Sequence, residues 1–469
     1  MRHIEQIYIN GEFVTPHGSE RFDLWNPATA QVFGQVRLAD TLDAERAIAA
    51  AKAAFPAWAK TSKATRIAAL QRMHAAVVAR HDALLEAIIE EYGAPAARSA
   101  WMASYPADVI AQAIEALENY QLTTQAGAAR VQMTPLGVAG LITPWNSDAG
   151  FICGKLAAAL AAGCTAVIKP SEMSALQTHI VTEALHEAGL PPGVFNIVTG
   201  RGDTVGDTLS RHPDVAKISF TGSTQTGKAI LRNAADSFKR VTLELGGKSP
   251  TLILDDADLT QAIPLVLQAG FMNSGQACVA GTRILVPRSR LAECEAALAQ
   301  AVKAIKSGDP RDPDTVIGPM VSEKQWQRVQ GYIRQGMEEG ARLLVGGEGR
   351  PEGTHNGWFV RPTLFSDVHN QMTIAREEIF GPVLCIIPYR DEADAITIAN
   401  DTHYGLSALV LGGDRAWAVA QQIEAGRVLV NTLAHEPKAP FGGFKHSGVG
   451  REMGAWGIGA FMEPKSLLR

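Results

Sequence analysis

The sequence has no apolar run long enough to cross a bilayer; the longest, Leu156 to Ile168, is broken by Gly163. It has no long basic run, and its net charge is only −5, so the electrostatic footprint of a nucleic-acid-binding protein is missing. Cysteine is sparse. The five, Cys153, Cys164, Cys278, Cys294 and Cys385, are scattered and never spaced C-x-x-C, so neither a disulfide framework nor a zinc site is expected. The twelve histidines make no H-E-x-x-H spacing, and no metal is expected. Residues 1–6 contain no apolar h-region and no cleavage pattern, which makes a cytoplasmic location, with no membrane partner, the expectation.

What is present is an ordinary globular composition, 46% hydrophobic and 19% charged, in a chain of 469 residues. That length exceeds one compact core and predicts two or more domains. Ile7 to Val14 reads as two short alternating segments around Asn10-Gly11, a hairpin signal. From about 40 to 120 the pattern is helical and alanine-rich. From Val138 a βα rhythm begins: strands at 138–142, 166–168, 194–198 and 216–220 alternate with helices at 150–162, 175–187 and 204–210. The rhythm resumes after Gly247 and runs through Leu411 and 428–430, predicting a second α/β domain. Short apolar strands alternating with helices predict parallel sheets covered on both faces. Residues 120–135 read as a connecting loop or an edge hairpin.

Four of the cysteines lie in apolar or helix-like stretches, where a reduced thiol acts as a small hydrophobe. Cys278 differs, because Gly275 and Gly281 flank it and permit tight turns that present a sulfur. A packed thiol is still the commoner fate of an isolated cysteine. Glu244 ends the alternating segment Arg240 to Leu243, where α/β sheets place their chemistry, although a solvated carboxylate fits the same position. Asn146 follows Pro144-Trp145 at the end of another strand. It reads either as a turn residue or as an amide donor for an oxyanion. Phe220 to Gly227 runs from a strand into a helix whose first N–H groups could face a phosphate, without the G-x-G-x-x-G spacing. Gly200-x-Gly202 and Gly448-x-Gly450 read as turns.

The strings N-S-G-Q-A-C-V-A-G-T-R around Cys278, E-L-G-G-K-S-P from Glu244 and T-P-L-G-V-A-G-L-I-T-P-W-N ending at Asn146 resemble those of the aldehyde dehydrogenase superfamily. The likeness extends over nearly the whole chain. It implies an α/β fold with a Rossmann-type cofactor domain, an α/β catalytic domain and a small β oligomerisation arm. The matching boundaries are 1–117 with 136–246 for cofactor, 247–446 for catalysis, and 118–135 with 447–469 for the arm. It implies oxidation of an aldehyde to its acid with NAD and water. Cys278 would be the nucleophile, Glu244 the base and Asn146 the oxyanion donor, with Glu452 and Lys155 as possible relay groups. K-P-S-E, F-T-G-S and E-I-F-G-P imply dinucleotide contacts at Lys169, Glu172, Gly222, Ser223, Glu378 and Phe380, with Trp145 nearby. A carboxylate at Glu172 suits ribose hydroxyls and repels a 2′-phosphate, so NAD is expected over NADP. Ser147, Phe151, Gly154 and Phe441 would line the substrate tunnel. The small Ser147 and Gly154 imply a roomy, polar entrance and a bulky or functionalised aldehyde or semialdehyde. The family also implies a homodimer or homotetramer, and the early end of the chain leaves that choice open. A CoA-acylating relative usually lacks the counterpart of Glu244. An NADP-preferring semialdehyde dehydrogenase, or a silent binding or structural protein on the same fold, are the other readings.

Overall fold

The computed structural model describes residues 1–469. Its larger sheet has five parallel strands, Arg240–Glu244, Val215–Thr221, Val138–Ile142, Thr165–Lys169 and Phe195–Ile197, neighbours in that order. Numbered along the chain they lie 5-4-1-2-3, so the order reverses between Val138–Ile142 and Val215–Thr221. Such a switch point opens a crevice beyond the carboxyl ends of the strands, the usual ligand site of an open α/β sheet. Val138–Ile142 and Thr165–Lys169 are buried along their whole lengths, as strands covered by helices on both faces must be. The hairpin Ile7–Ile9 and Glu12–Val14 closes one edge, as its Asn-Gly turn predicts. At the other edge, Gly448–Val449 pairs antiparallel with Leu243 and Glu244. This corrects the reading of Gly448-x-Gly450 as a turn and removes Gly448 and Val449 from the arm.

A second sheet carries six parallel strands, Thr363–Ser366, Val383–Tyr389, Arg283–Pro287, Pro250–Ile253, Ser407–Leu411 and Arg427–Val430, with Arg342–Val345 antiparallel at one edge. The chain passes from the carboxyl end of the first sheet at Glu244 to the amino end of the second at Pro250 through residues 245–249. The carboxyl ends of one sheet therefore face the amino ends of the other.

Three further features were not read from the sequence, or were read differently. Arg21–Asn26 and Gln31–Arg37 form a hairpin that Arg2–Ile4 joins in parallel. The helix expected at 204–210 is a π-type turn, Gly202–Gly206, running into a short helix, Asp207–Arg211. Thr123–Ala126 and Ala129–Pro135 form the edge hairpin, and Met462–Leu467 adds to it in a six-residue antiparallel register, so the terminal segment is a full strand. No helix is long and apolar enough to cross a membrane.

Candidate active site

Strand ends bring the polar groups together. Pro144-Trp145-Asn146 follows Val138–Ile142, Lys169 ends the next strand, Gly222 and Ser223 follow Val215–Thr221, and Glu244 ends the fifth. From the second sheet, Cys278 comes just before Arg283–Pro287, and Glu378 and Phe380 come just before Val383–Tyr389. Trp145 meets Phe380 edge-on at 5.4 Å, so the two sheets touch across the crevice at these rings.

Cys278 is half-buried, whereas the other four cysteines are fully buried. Its approach is a backbone under strain. Asn273, Ser274 and Gly275 all take positive φ, at 55°, 59° and 74°, a conformation that costs a non-glycine residue roughly 1–2 kcal/mol. Neighbouring groups hold it there: Gly318 N–H donates to Ser274 Oγ at 2.9 Å, and Val321 N–H donates to Gln276 Oε1 at 3.0 Å. Gly275 is also required sterically, because a Cβ there would lie 2.2 Å from the Gly381 carbonyl oxygen. Asn146 is buried and donates through Nδ2 to the Gln276 carbonyl at 3.1 Å, two residues before the sulfur. One amide hydrogen remains, and the Cys278 N–H donates to no backbone carbonyl. Burial pushes the Cys278 thiol up to about 12, and the Glu378 and Glu244 carboxylates add to it.

Glu244 is 3% exposed, and neither of its oxygens has a hydrogen-bond partner. Burial holds its carboxyl well above the ordinary carboxylate range, with Glu452 adding and Lys155 opposing. A Cβ on Gly442 would lie 2.8 Å from Glu244 Oε1, so that glycine leaves room for the carboxylate. Lys155 is buried and pairs with Glu452 at 2.5 Å. Ser219 Oγ bridges them, accepting from Lys155 Nζ at 3.0 Å and donating to Glu452 Oε1 at 2.8 Å. The Glu452 backbone exchanges two hydrogen bonds with Phe441, fixing that ring to the same element.

The phosphate-facing side is built as its motif suggests. Ser223 caps the helix Thr224–Ala235 through Thr226 N–H. The Thr221 hydroxyl beside it is buried without a partner. Lys169 Nζ donates to Glu172 at 3.1 Å, and Arg201 stands 3.6 Å from the other Glu172 oxygen. Glu378 accepts from Gly247 N–H at 2.9 Å, and burial pushes its carboxyl up to about 7. A Cβ on Gly246 would lie 2.3 Å from that carboxylate, and one on Gly247 would lie 2.5 Å from the Cys278 carbonyl oxygen. The Gly-Gly pair after Glu244 thus admits both partners.

The aldehyde dehydrogenase family profile matches residues 13–467. The chain belongs to the aldehyde dehydrogenase family. It is similar to the 3-succinoylsemialdehyde-pyridine dehydrogenase of a Pseudomonas species, 46% identical over 472 residues, covering 100% of this chain and 99% of the relative. It superposes on an aldehyde dehydrogenase of Pseudomonas syringae solved with NAD+ and octanal at a TM-score of 0.97, with 44% identity and 99% and 96% coverage. An NAD+ complex from Mycobacterium tuberculosis gives 0.96, with 42% identity and 100% and 98% coverage.

In this aldehyde dehydrogenase, side chains from elsewhere in the chain stand beside positions expected to line a tunnel. The Tyr105 ring, from the helix Ala96–Asn119, fills the space beside Ser147 and Gly150; a Cβ on Gly150 would lie 2.6 Å from it. Gly154 packs on Val109 of the same helix, and Phe151 is half-buried. Tyr105 stacks on Trp101 at 4.6 Å and meets His435 edge-on at 6.2 Å. Phe441 lies under the Arg427 guanidinium, 5.8 Å from its centroid. Tyr105, Trp101, His435, Arg427 and Arg201 were not found from the sequence. Tyr105 and Trp101 sit far in the chain from the motifs, while Arg201 lies within the Gly200-x-Gly202 string read only as a turn.

Proposed function

We propose that this chain oxidises an aldehyde to its carboxylic acid with NAD+ and water, without CoA. The observation that carries the reading is the convergence of a half-buried thiol, a buried carboxylate with both oxygens free, and an amide donor at one crevice between two sheets. The residues present fit a dinucleotide: a capped helix start, an orphaned Thr221 hydroxyl and an acid, Glu172, held between two cations. Lys169, Glu172, Gly222, Ser223, Glu378, Phe380 and Trp145 would hold it, and when bound it supplies the hydride acceptor. Residues 1–117 with 136–246 would form the cofactor unit, and 247–446 the catalytic unit.

In this reading Cys278 Sγ forms a bond to the carbonyl carbon, and its proton passes to a base. The oxyanion is held by the Asn146 amide and the Cys278 N–H. After oxidation the carbon remains as a thioester on Cys278. Glu244 then takes a proton from water, the hydroxide adds, and the C–S bond breaks to release the acid. Burial disfavours the free thiolate, so proton removal would accompany attack. The Lys155–Ser219–Glu452 cluster, which reaches Glu244 by charge, would pass protons outward.

An absorbance assay for NADH over an aldehyde panel, with and without CoA, tests the proposal. NADH without CoA is expected; no NADH from any aldehyde, or a strict need for CoA, would overturn it. Asn146→Ala is expected to cost roughly 10²–10³ in kcat, the usual loss of one oxyanion donor. A smaller loss in stopped-flow acylation would remove that role. Glu172→Gln frees Lys169 and Arg201 to meet a 2′-phosphate. The NADP/NAD ratio of kcat/KM is therefore expected to rise about tenfold or more. An unchanged ratio would show that another group discriminates. The three-stranded sheet ending in the exposed strand Thr123–Ala126 would be the arm of a homodimer or homotetramer.

A further inference from the structure

We infer that Arg427 is a specificity-determining residue that holds the carboxylate of a short ω-carboxylated aldehyde while the carbonyl carbon meets Cys278. This rests on the proposed aldehyde oxidation and narrows its substrate to semialdehyde acids.

Arg427 opens the edge strand Arg427–Val430 and is half-buried. Its single hydrogen bond is from Nε to Ser407 Oγ at 3.3 Å, and no carboxylate lies within ion-pairing distance. The guanidinium is partly withdrawn from water with its Nη groups still open, and partial desolvation of a charge is costly unless an anion offsets it. The two Nη groups are free to form the bidentate fork that suits a carboxylate. Its Cζ lies 5.8 Å from the centroid of the ring of Phe441, the residue expected to wall the substrate tunnel. The guanidinium is also near enough to Cys278 to pull the thiol down against burial.

The facing wall repeats the pattern. Arg98 lies over Trp101 at 4.0 Å, with its Nε buried and unpartnered, and it too forms no ion pair. Trp101 stacks on Tyr105, a side chain within charge range of both Arg98 and Arg427. The acids within reach of Tyr105 are Glu452, already paired with Lys155, and the exposed Asp108. Nothing in the chain neutralises Arg427. A neutral alkyl aldehyde would leave it so, whereas a substrate carboxylate would complete it.

The experiment compares succinic semialdehyde with its neutral isostere 4-methylpentanal, on wild type, Arg427→Met and Arg427→Lys. Wild type is expected to prefer the acid. Arg427→Met should lower kcat/KM for succinic semialdehyde by roughly 30- to 100-fold, mainly through KM, as loss of a charged hydrogen-bond partner does. It should lower kcat/KM for 4-methylpentanal far less, by only the part that a less readily ionised Cys278 costs, and Arg427→Lys should restore part of the loss. Equal losses on both substrates, or no preference in wild type, would overturn the inference. A second readout does not need turnover: the ratio of Cys278 alkylation rates by iodoacetate and iodoacetamide. That ratio should fall about tenfold in Arg427→Met; an unchanged ratio sinks the anion role. If no aldehyde yields NADH but the ratio falls, the oxidation reading fails and the anion site stands.

Discussion

Cys278→Ala is expected to abolish aldehyde oxidation, by at least roughly 10⁴-fold, while NAD+ binding is unchanged. The size follows from what is removed. In the proposed reaction Asn146 and the Cys278 N–H would stabilise an oxyanion that never forms without the sulfur, so their contributions would vanish with it. The other four thiols cannot substitute, because all are fully buried, whereas Cys278 is half-exposed in the crevice. Fluorescence titration with NAD+ beside an NADH assay checks both halves. Turnover within tenfold of wild type would end the assignment of the nucleophile.

The second large effect is at Glu244. Glu244→Gln should still give one equivalent of NADH in a burst, then turn over roughly 10²–10⁴ times more slowly, the range of a lost general base. The pH dependence adds a signature. Burial raises the Glu244 carboxyl, so below its folded pKa it carries a proton and cannot accept one from water. Thioester cleavage should therefore rise with pH through that raised pKa, and this limb should be missing in the Gln variant. Stability runs the other way. A carboxyl with a raised folded pKa contributes fully below its unfolded pKa, and the contribution is lost as pH climbs through the folded value. Above that raised pKa Glu244→Gln should melt higher than wild type, in keeping with active sites that hold unpaired charge at a cost in stability. Steady NADH production at the wild-type rate, with no burst, would refute the base.

The local strings around Cys278, Glu244 and Asn146 were legible because each is one strand end or one loop, with its glycines beside it. The βα rhythm gave the first sheet nearly residue by residue, including the helix Ala175–Glu187. Pairings that span the chain were not legible. Gly448 and Val449 look like a turn because their partners, Leu243 and Glu244, are some two hundred residues away. The hairpin Arg21–Asn26 and Gln31–Arg37 carried alternation at Phe22, Leu24, Val32 and Val36, a signal that was present and unused. Small residues at Ser147 and Gly154 implied open space, but a helix from earlier in the chain brings Tyr105 into it. The run of left-handed residues at Asn273 and Ser274 has no sequence mark, since neither is glycine. Contacts from residues 318–321 impose it.

The five-residue crossing from Glu244 to Pro250 ties the water-activating acid to one sheet and the sulfur-bearing loop to the other. A shear of one lobe past its neighbour would change the gap from acid to sulfur together with the Asn146–Gln276 bond that crosses between them. Anything that bridges the lobes would hold both at once.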